Sequence, residues 1–116
     1  MVGAPPHLDE VWLVALDPVR GSEIQKTRPC LVVSPDEINK YLQTVIVAPM
    51  TTVERPWPTR VTITFQGKRG QVAIDQLRAI DRQRLIRKLG RVPSRTAANV
   101  SNVLVEMFAR FGGQQG

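Results

Sequence analysis

A buried central strand is predicted by Val45-Ile46-Val47-Ala48-Pro49-Met50-Thr51. Residues 45–48 are apolar at consecutive positions, so both faces of the pleat are apolar, as is typical of a strand covered on both sides. Pro49 lacks the N–H that a strand ladder uses and predicts an interruption, after which Met50 and Thr51 open a loop. The rest of the domain is expected to pack around this segment.

Shorter strand patterns lie on either side of it. A run from Val11 to Leu16 and a β-branched run over 30–33 come first, and a turn or one-turn helix follows over 37–41. Residues 60–65 alternate polar and apolar side chains, which predicts a half-buried antiparallel strand. The basic tetrapeptide Gly67-Lys68-Arg69-Gly70 is the expected hairpin tip.

The apolar residues after this hairpin change pleat face at Asp75-Gln76. A one-residue slip after which the apolar residues still face the core predicts a β-bulge. Bulges change the direction of side chains and occur next to active sites. Asp75 and Arg78 would then share the open face. The apolar positions before the slip are Val72 and Ile74, and those after it are Leu77 and Ala79.

One long helix is predicted to begin at Pro93-Ser94 and to end at Gly112-Gly113. Before it, Asp81 is a candidate N-cap for a short turn carrying Leu85, and Gly90 ends that turn or starts a last strand. Core packing is the preferred interpretation of the helix stripe and an interface the alternative. The stripe comprises Val100, Val103, Leu104, Met107, Phe108 and Phe111.

These elements predict a mainly β fold, a small SH3-like β-barrel of five or six strands closed by a C-terminal α-helix. The length of 116 residues suits one domain, expected over 10–116 after a flexible N-terminal arm over 1–9. The longest apolar runs are far shorter than the roughly 18 to 20 residues of a membrane span. One cysteine excludes an intramolecular disulfide, and the cytoplasm is the expected compartment.

Charge is distributed unevenly along the chain. The net charge is +6, and residues 60–116 hold eleven basic and three acidic side chains, whereas residues 1–59 hold five and seven. Nucleic acid is therefore the leading class of partner. The alternative is that the arginines only solvate a small β-rich surface.

Several kinds of chemistry are excluded by the residues available. The only histidine, His7, lies in the N-terminal arm and Cys30 lies in an apolar strand, so no Ser-His-Asp or Cys-His set is expected. Neither nucleotide-binding glycine loops nor metal-ligand spacings occur, so no cofactor and no metal are predicted. Arginine, threonine and aspartate suffice for RNA cleavage by the substrate's own 2′-hydroxyl, because the protein then needs only to stabilise charge and move protons.

Five motifs in order carry a family resemblance over residues 10–110. The chain resembles the MazF/PemK (Kid-like) toxin family, and the resemblance implies the toxin fold shared by MazF, Kid and CcdB. The motifs are Glu10-Val11-Trp12-Leu13-Val14-Ala15-Leu16-Asp17-Pro18, Gly21-Ser22-Glu23, Thr27-Arg28-Pro29-Cys30, Val45-Ile46-Val47-Ala48-Pro49-Met50-Thr51 and Asp75-Gln76-Leu77-Arg78.

This resemblance implies the toxin of a type II toxin-antitoxin system. Such a toxin is a metal-independent endoribonuclease that cuts single-stranded RNA at short sequences, leaves 2′,3′-cyclic phosphate and 5′-hydroxyl ends, and so inhibits translation and growth. It also implies a homodimer, and a MazE-like antitoxin that binds through an acidic C-terminal tail. Operator DNA is contacted only through that antitoxin.

The resemblance also implies roles for three residues. Arg28 matches the family's catalytic arginine, Thr51 matches the residue that hydrogen-bonds the scissile phosphate, and Asp75 matches the carboxylate used as base in PemK-type members. This chain has Ala73 and Ser22 where PemK-type members carry an arginine and a histidine, so their proton assignments are not carried over. Asp75 is therefore either the base or a structural carboxylate at the bulge.

RNA contacts are expected around these residues. Trp57 offers an unpaired base a stacking face, and its alternative role is to close one end of the barrel. Lys68 and Arg69 bind RNA or form a solvated rim. The full set of expected RNA contacts is Glu23, Gln25 and Lys26 in the first loop, Trp57 in the second, and Lys68, Arg69, Gln76 and Arg78 beyond.

Two other functions stay open on the sequence. Gyrase-poisoning toxins resemble this fold and act by binding without hydrolysis, and a housekeeping SH3-like RNA-binding module would need no catalytic arginine. Arg28 together with Thr51 favours the nuclease. Incubation with long single-stranded RNA in EDTA separates the three, because only the nuclease cuts.

Overall fold

The computed structural model describes residues 4–16 and 27–109 of the chain. Within these residues, seven β-strands form a curled sheet and one long α-helix covers it. The elements are β1 Glu10–Ala15, β2 Thr27–Val32, α1 Asp36–Asn39, β3 Thr44–Thr51, β4 Arg60–Phe65, β5 Lys68–Ala73, β6 Arg78–Asp81, β7 Leu85–Arg91 and α2 Ser94–Phe108.

Strand β3 lies at the centre, in the order β4-β5-β3-β2-β1-β7. One side of β3 pairs with β2, and the other side pairs first with β6 and then with β5. The expected interruption at Pro49 is wrong, because β3 runs through to Thr51. Pairing with β6 ends at Val47 and pairing with β5 begins at Met50, so Pro49 occupies the gap between the two partners. A residue without an N–H is tolerated at such a gap.

Both faces of the central strands are buried. Val11 and Leu31 belong to one apolar cluster, which includes Val100 of α2, whereas Val14 and Cys30 belong to a second cluster, against which Trp12 packs. This arrangement follows from the period of two in a strand, since neighbouring residues point to opposite faces. The predicted mainly β, SH3-like architecture with one C-terminal helix is confirmed.

Helix α2 packs one face against the sheet. Val100 is buried, and Val103, Leu104 and Met107 are partly buried in the first cluster, so the core interpretation of the stripe holds for these four residues. Phe108, the last residue of the helix, is 67% exposed and does not belong to that packed set. Phe111 and the two terminating glycines lie outside the described residues. None of the helices in the described ranges is long and apolar enough to cross a membrane.

The β4–β5 hairpin turns at residues 66–67, two residues before the centre of the expected tip over 67–70. Phe65 pairs with Lys68, so the tip is Gln66-Gly67, and Lys68 and Arg69 already belong to β5. Both tip residues have positive φ, 52° and 78°, as a two-residue type I′ turn requires. The pairing register of β4 and β5 is therefore determined by the turn at Gln66-Gly67, and Gly70 lies within β5.

The predicted bulge at Asp75-Gln76 is wrong in form. A 3₁₀ turn over Ile74–Gln76 separates β5, which pairs with both β4 and β3, from β6, which pairs with β3. The change of pleat face therefore lies at this turn, after which β3 stays the partner and the pairing with β4 has ended. Asp81 does cap a turn, since its Oδ1 accepts from the N–H of Gln83 at 2.8 Å, but β7 begins at Leu85.

The end of the N-terminal arm is anchored. The N–H of Leu8 donates to Asp36 Oδ1 at 2.7 Å, and the N–H of Asp9 donates to the carbonyl of Val32 at 3.0 Å. The buried carboxylate of Glu10 accepts from the N–H of His7 and from the Trp12 indole, each at 2.9 Å. Residues 7–9 thus make hydrogen bonds to the domain, and the division into an arm over 1–9 and a domain over 10–116 stays a prediction.

Candidate active site

An open cavity of about 380 Å³ lies where the start of β2, the end of β3 and the β4–β5 hairpin meet. Its lining combines cationic, hydrogen-bonding and apolar groups, which β2, β3 and the β4–β5 hairpin contribute at this corner of the sheet. Its lining includes Arg28, Met50, Thr51, Phe65, Lys68, Arg69 and Gln71.

Arg28 lies in β2, opposite Val14 of β1. The following proline restricts its backbone to extended geometry and so holds it at the strand entrance. Its Nη1 donates to the carbonyl of Met50 at 3.3 Å, whereas its Nε is buried and has no hydrogen-bond partner. Among residues 4–16 and 27–109, no carboxylate lies within ion-pair distance of this guanidinium. A buried N–H of this kind favours an anionic acceptor.

Thr51 is the last residue of β3 and is only 8% exposed. Its Oγ1 accepts from the N–H of Val53 at 3.1 Å, which leaves the hydroxyl proton able to donate to a bound group. A Cβ at Gly70 would lie 2.6 Å from the carbonyl oxygen of Thr51, so glycine is required for β5 to approach this strand end. The close approach brings the basic hairpin beside Thr51.

The β3–β4 loop, residues 52–59, is held against the cavity by two contacts. Buried Gln71 bonds both backbone groups of Arg55: Oε1 accepts from the N–H at 3.0 Å and Nε2 donates to the carbonyl at 3.1 Å. Glu54 accepts from Arg69 at 2.7 and 3.4 Å, a two-bond ion pair at the cavity rim. The hydrogen bond from Arg69 holds the pKa of the Glu54 carboxyl below its ordinary value.

Asp75 lies in a separate network. Its Oδ1 accepts from Arg60 Nε at 2.8 Å and from Thr59 Oγ1 at 2.9 Å, and its Oδ2 accepts from Arg60 Nη2 at 3.4 Å. Partial burial would raise the pKa of Asp75, but the hydrogen bonds from Arg60 and Thr59 outweigh it and lower that pKa. The Arg60 guanidinium also lies 4.8 Å from the centre of the Trp57 ring.

Cys30 is adjacent to the site but is chemically quiet. Burial raises the pKa of its thiol to about 12, against the opposing charges of Arg28 and Arg78. The thiolate, which is the nucleophilic form, is therefore scarce at neutral pH.

The predicted site residues fall into three groups. Arg28, Thr51, Lys68 and Arg69 line the cavity together. Asp75, Trp57, Gln76 and Arg78 do not line it, and Asp75 pairs with Arg60 instead of sharing an open face with Arg78. Glu23, Gln25 and Lys26 lie outside the described residues, as does Ser22.

Three structural residues were missed from the sequence: Glu54, Arg60 and Gln71. Gln71 could have been found, because a polar residue in a strand buried on both faces must have hydrogen-bond partners. Glu54 and Arg60 carry no such local signal, because their partners are 15 residues away in the chain.

Within the described ranges, no three His, Cys, Asp or Glu side chains come together in a way that could hold a metal ion.

Comparison with known proteins assigns the family. Residues 9–108 match the model of the PemK-like, MazF-like toxin of type II toxin-antitoxin systems. The chain belongs to the PemK/MazF-like toxin family.

Individual relatives of this family agree with the assignment. The chain is 33% identical to endoribonuclease MazF9 of Mycobacterium tuberculosis over 105 residues, which cover 82% of this chain and 89% of that protein. It is 40% identical to endoribonuclease PemK of Escherichia coli over 90 residues, which cover 72% and 68% of the two chains.

Solved structures of the family share the fold. MazF of Deinococcus radiodurans is similar with a TM-score of 0.79 and 26% identity, covering 93% of this chain and all of that one. In the MazE–MazF complex from the same organism, the TM-score is 0.75 and the identity 27%, over 90% of this chain and 96% of that one.

Proposed function

We propose that this PemK/MazF-like toxin is an endoribonuclease that cleaves single-stranded RNA at specific short sequences without a metal ion. The observation that carries the proposal is the partly buried Arg28 guanidinium, whose Nε has no partner, in a cavity that it shares with Thr51. Lys68 and Arg69 line the same cavity, where Lys68 supplies further positive charge for a phosphate backbone and Arg69 pairs with Glu54 at the rim. The names of the relatives MazF9 and PemK support the same activity.

The reaction is an in-line transesterification. The 2′-oxygen of the substrate forms a bond to the adjacent phosphorus, and the bond from phosphorus to the 5′-oxygen breaks. One proton leaves the 2′-hydroxyl and one is delivered to the 5′-oxygen, so the products are a 2′,3′-cyclic phosphate and a 5′-hydroxyl. The nucleophile belongs to the RNA, which is why a protein without a catalytic histidine or cysteine suffices.

Arg28 is assigned the role of stabilising the negative charge that develops on the phosphorane oxygens, because its planar guanidinium presents two parallel donors to them. Thr51 is assigned a hydrogen bond to a nonbridging phosphate oxygen, since its hydroxyl accepts from Val53 and keeps its own proton to donate. Asp75 as the general base stays a prediction. Its hydrogen bonds to Arg60 and Thr59 make it a weak base in the geometry described above.

RNA binding is assigned to the cationic and aromatic residues around the cavity. Lys68 and Arg69 would contact phosphates, and the 47% exposed Trp57 ring would stack an unpaired base. Gln76, Arg78 and the first-loop residues Glu23, Gln25 and Lys26 stay predictions as RNA contacts. RNA cleavage by this site would inhibit translation and growth, with the cytoplasm as the compartment.

Partners follow from the family. We assign to this toxin a MazE-like antitoxin that binds through an acidic C-terminal tail, a homodimeric state, and contact with operator DNA only through the antitoxin. The structure of MazF of Deinococcus radiodurans in complex with MazE supports the antitoxin for this chain.

The test is cleavage of a long single-stranded RNA in EDTA by the wild type, Arg28→Ala and Arg95→Ala. Arg95 is an exposed arginine of α2 outside the cavity, so its variant makes the same change of charge and size away from the site. Loss of one preorganised donor to the phosphorane costs about 2.7 to 4 kcal/mol, so Arg28→Ala should cleave at least about 100-fold more slowly. Arg28→Lys should recover little, because lysine lacks the planar fork.

Folding of each variant is checked by circular dichroism and thermal unfolding. If the wild type binds RNA but leaves it intact, the proposed nuclease is wrong and an RNA-binding module is favoured. Absence of both binding and cleavage would favour a toxin that acts on a protein target. Equal cleavage by Arg28→Ala and wild type would remove Arg28 from the mechanism.

A further inference from the structure

Gln71 forms a two-point clamp on the β3–β4 loop. A primary amide carries one acceptor and two donors, and here it bonds both the N–H and the carbonyl of Arg55, as a residue of a neighbouring antiparallel strand would. Gln71 is only 6% exposed, so its amide depends on the loop backbone for hydrogen bonds. Release of the loop would leave a buried amide without partners, which is costly.

The clamp lies directly beside the candidate phosphate ligand. Thr51 faces Gln71 in the β3–β5 register, and the loop begins at the next residue along the chain. Gln71 itself lines the cavity, and so does Thr52 of the loop. Gln71 is therefore the buried one of the two contacts that hold the loop against the cavity.

The second contact between the β3–β4 loop and β5 is weaker. The Glu54–Arg69 pair joins the loop to the hairpin, but the Arg69 side chain is 66% exposed, and exposed ion pairs contribute little. The buried two-bond contact of Gln71 is the stronger constraint, because water does not compete with it to the same degree.

We propose that Gln71 is a specificity-determining positioning residue: it holds the β3–β4 loop at the cavity wall, where the loop reads the unpaired nucleotides that flank the scissile phosphate. This inference rests on the proposed function. Arg28 and Thr51 act on the phosphate, which is the same at every step of an RNA chain, so discrimination between sequences requires contacts to the bases. A loop fixed before binding makes such contacts without an ordering cost.

The test uses Gln71→Met, which keeps the length of the side chain and removes both hydrogen bonds. Gln83→Met is the matched control, because Gln83 is an exposed glutamine in the turn before β7. Substrates are an oligonucleotide with the mapped cleavage site, the same oligonucleotide with single-base changes beside the scissile bond, and a dinucleotide containing only that bond. Amide hydrogen exchange at Arg55 reports the clamp without reference to activity.

For Gln71→Met on the full site, we expect KM to rise about tenfold with kcat within about threefold. Preference for the mapped site over its single-base variants should fall at least about tenfold, and cleavage of the dinucleotide should change less than about threefold. The Arg55 amide should exchange at least about tenfold faster. Gln83→Met should match the wild type in every measurement.

Each contrary outcome has its own meaning. An equal loss on the full site and the dinucleotide, or unchanged preference between sites, would overturn the role of Gln71 in specificity. Unchanged exchange at Arg55 would overturn the clamp itself, and this readout holds even if the wild type cleaves no RNA. Lack of cleavage by the wild type is the separate failure of the proposed function.

Discussion

Asp75, Arg60 and Trp57 form a connected set of side chains. The Arg60 side chain is 5% exposed and lies between the Asp75 carboxylate and the Trp57 ring. Its guanidinium therefore forms an ion pair with Asp75 and a cation–π contact with Trp57. Both carboxylate oxygens of Asp75 accept from Arg60. A carboxylate with a lowered pKa is a weak proton acceptor, whereas a well-held ion pair is suited to fixing the orientation of an aromatic ring.

We therefore expect Asp75→Asn and Arg60→Ala to have similar effects on RNA cleavage. Each change removes the support of Trp57, and loss of one stacked base is worth about 1 to 3 kcal/mol, which corresponds to a rise in KM of roughly 5- to 150-fold. Steady-state kinetics on an RNA with the mapped site measures this. A fall in kcat of about 100-fold in Asp75→Asn, with Arg60→Ala near the wild-type kcat, would instead establish Asp75 as the base.

At the scale of elements, two apolar surfaces are left without a partner in the part of the chain that the structure describes. Helix α2 exposes 66% of Val105 and 67% of Phe108 beyond the residues that it packs against the sheet. Strand β7 is an edge strand whose Ile86 is 51% exposed. Edge strands and apolar faces of this kind promote association.

A homodimer is the expected state in solution. Sedimentation equilibrium at micromolar concentration should give a mass of about 26 kDa, twice the 13.0 kDa chain. A homogeneous species of one chain mass would contradict the dimer. It would also mean that each cavity works with the residues of one chain alone.

At the scale of the whole molecule, charge is segregated. Residues 60–116 carry a net charge of +8, whereas residues 1–59 carry −2. The hairpin brings Lys68 and Arg69 from the basic half to the cavity that holds Arg28. This segregation of charge supports the proposal of a flexible polyanion as partner, whether single-stranded RNA or an acidic peptide.

An acidic antitoxin tail should therefore inhibit by occupying the RNA site. We expect inhibition by the cognate antitoxin's C-terminal segment to be competitive with RNA, whose own affinity falls by about 0.7 log units per decade of salt for each phosphate contact. Titration of the peptide against a fixed RNA concentration at two salt concentrations measures this. Noncompetitive inhibition would favour an allosteric mode of control.

Much of this organisation is determined locally in the sequence. The consecutive apolar residues of β3, the alternation in β4 and the helical spacing of α2 predicted the mainly β fold with one helix, because each pattern matches the geometry of its own element. Arg28 and Thr51 were predicted from their motifs, and they line one cavity because the strands that carry them reach the same corner of the sheet.

Pairing between distant segments decided the rest. Pro49 stays within β3 because the partner on one side changes there, and the hairpin tip is Gln66-Gly67 because Phe65 pairs with Lys68. Asp75 binds Arg60 and Gln71 binds Arg55 across 15 and 16 residues of chain. Such contacts depend on which strands become neighbours, a property of the folded sheet that no local pattern contains.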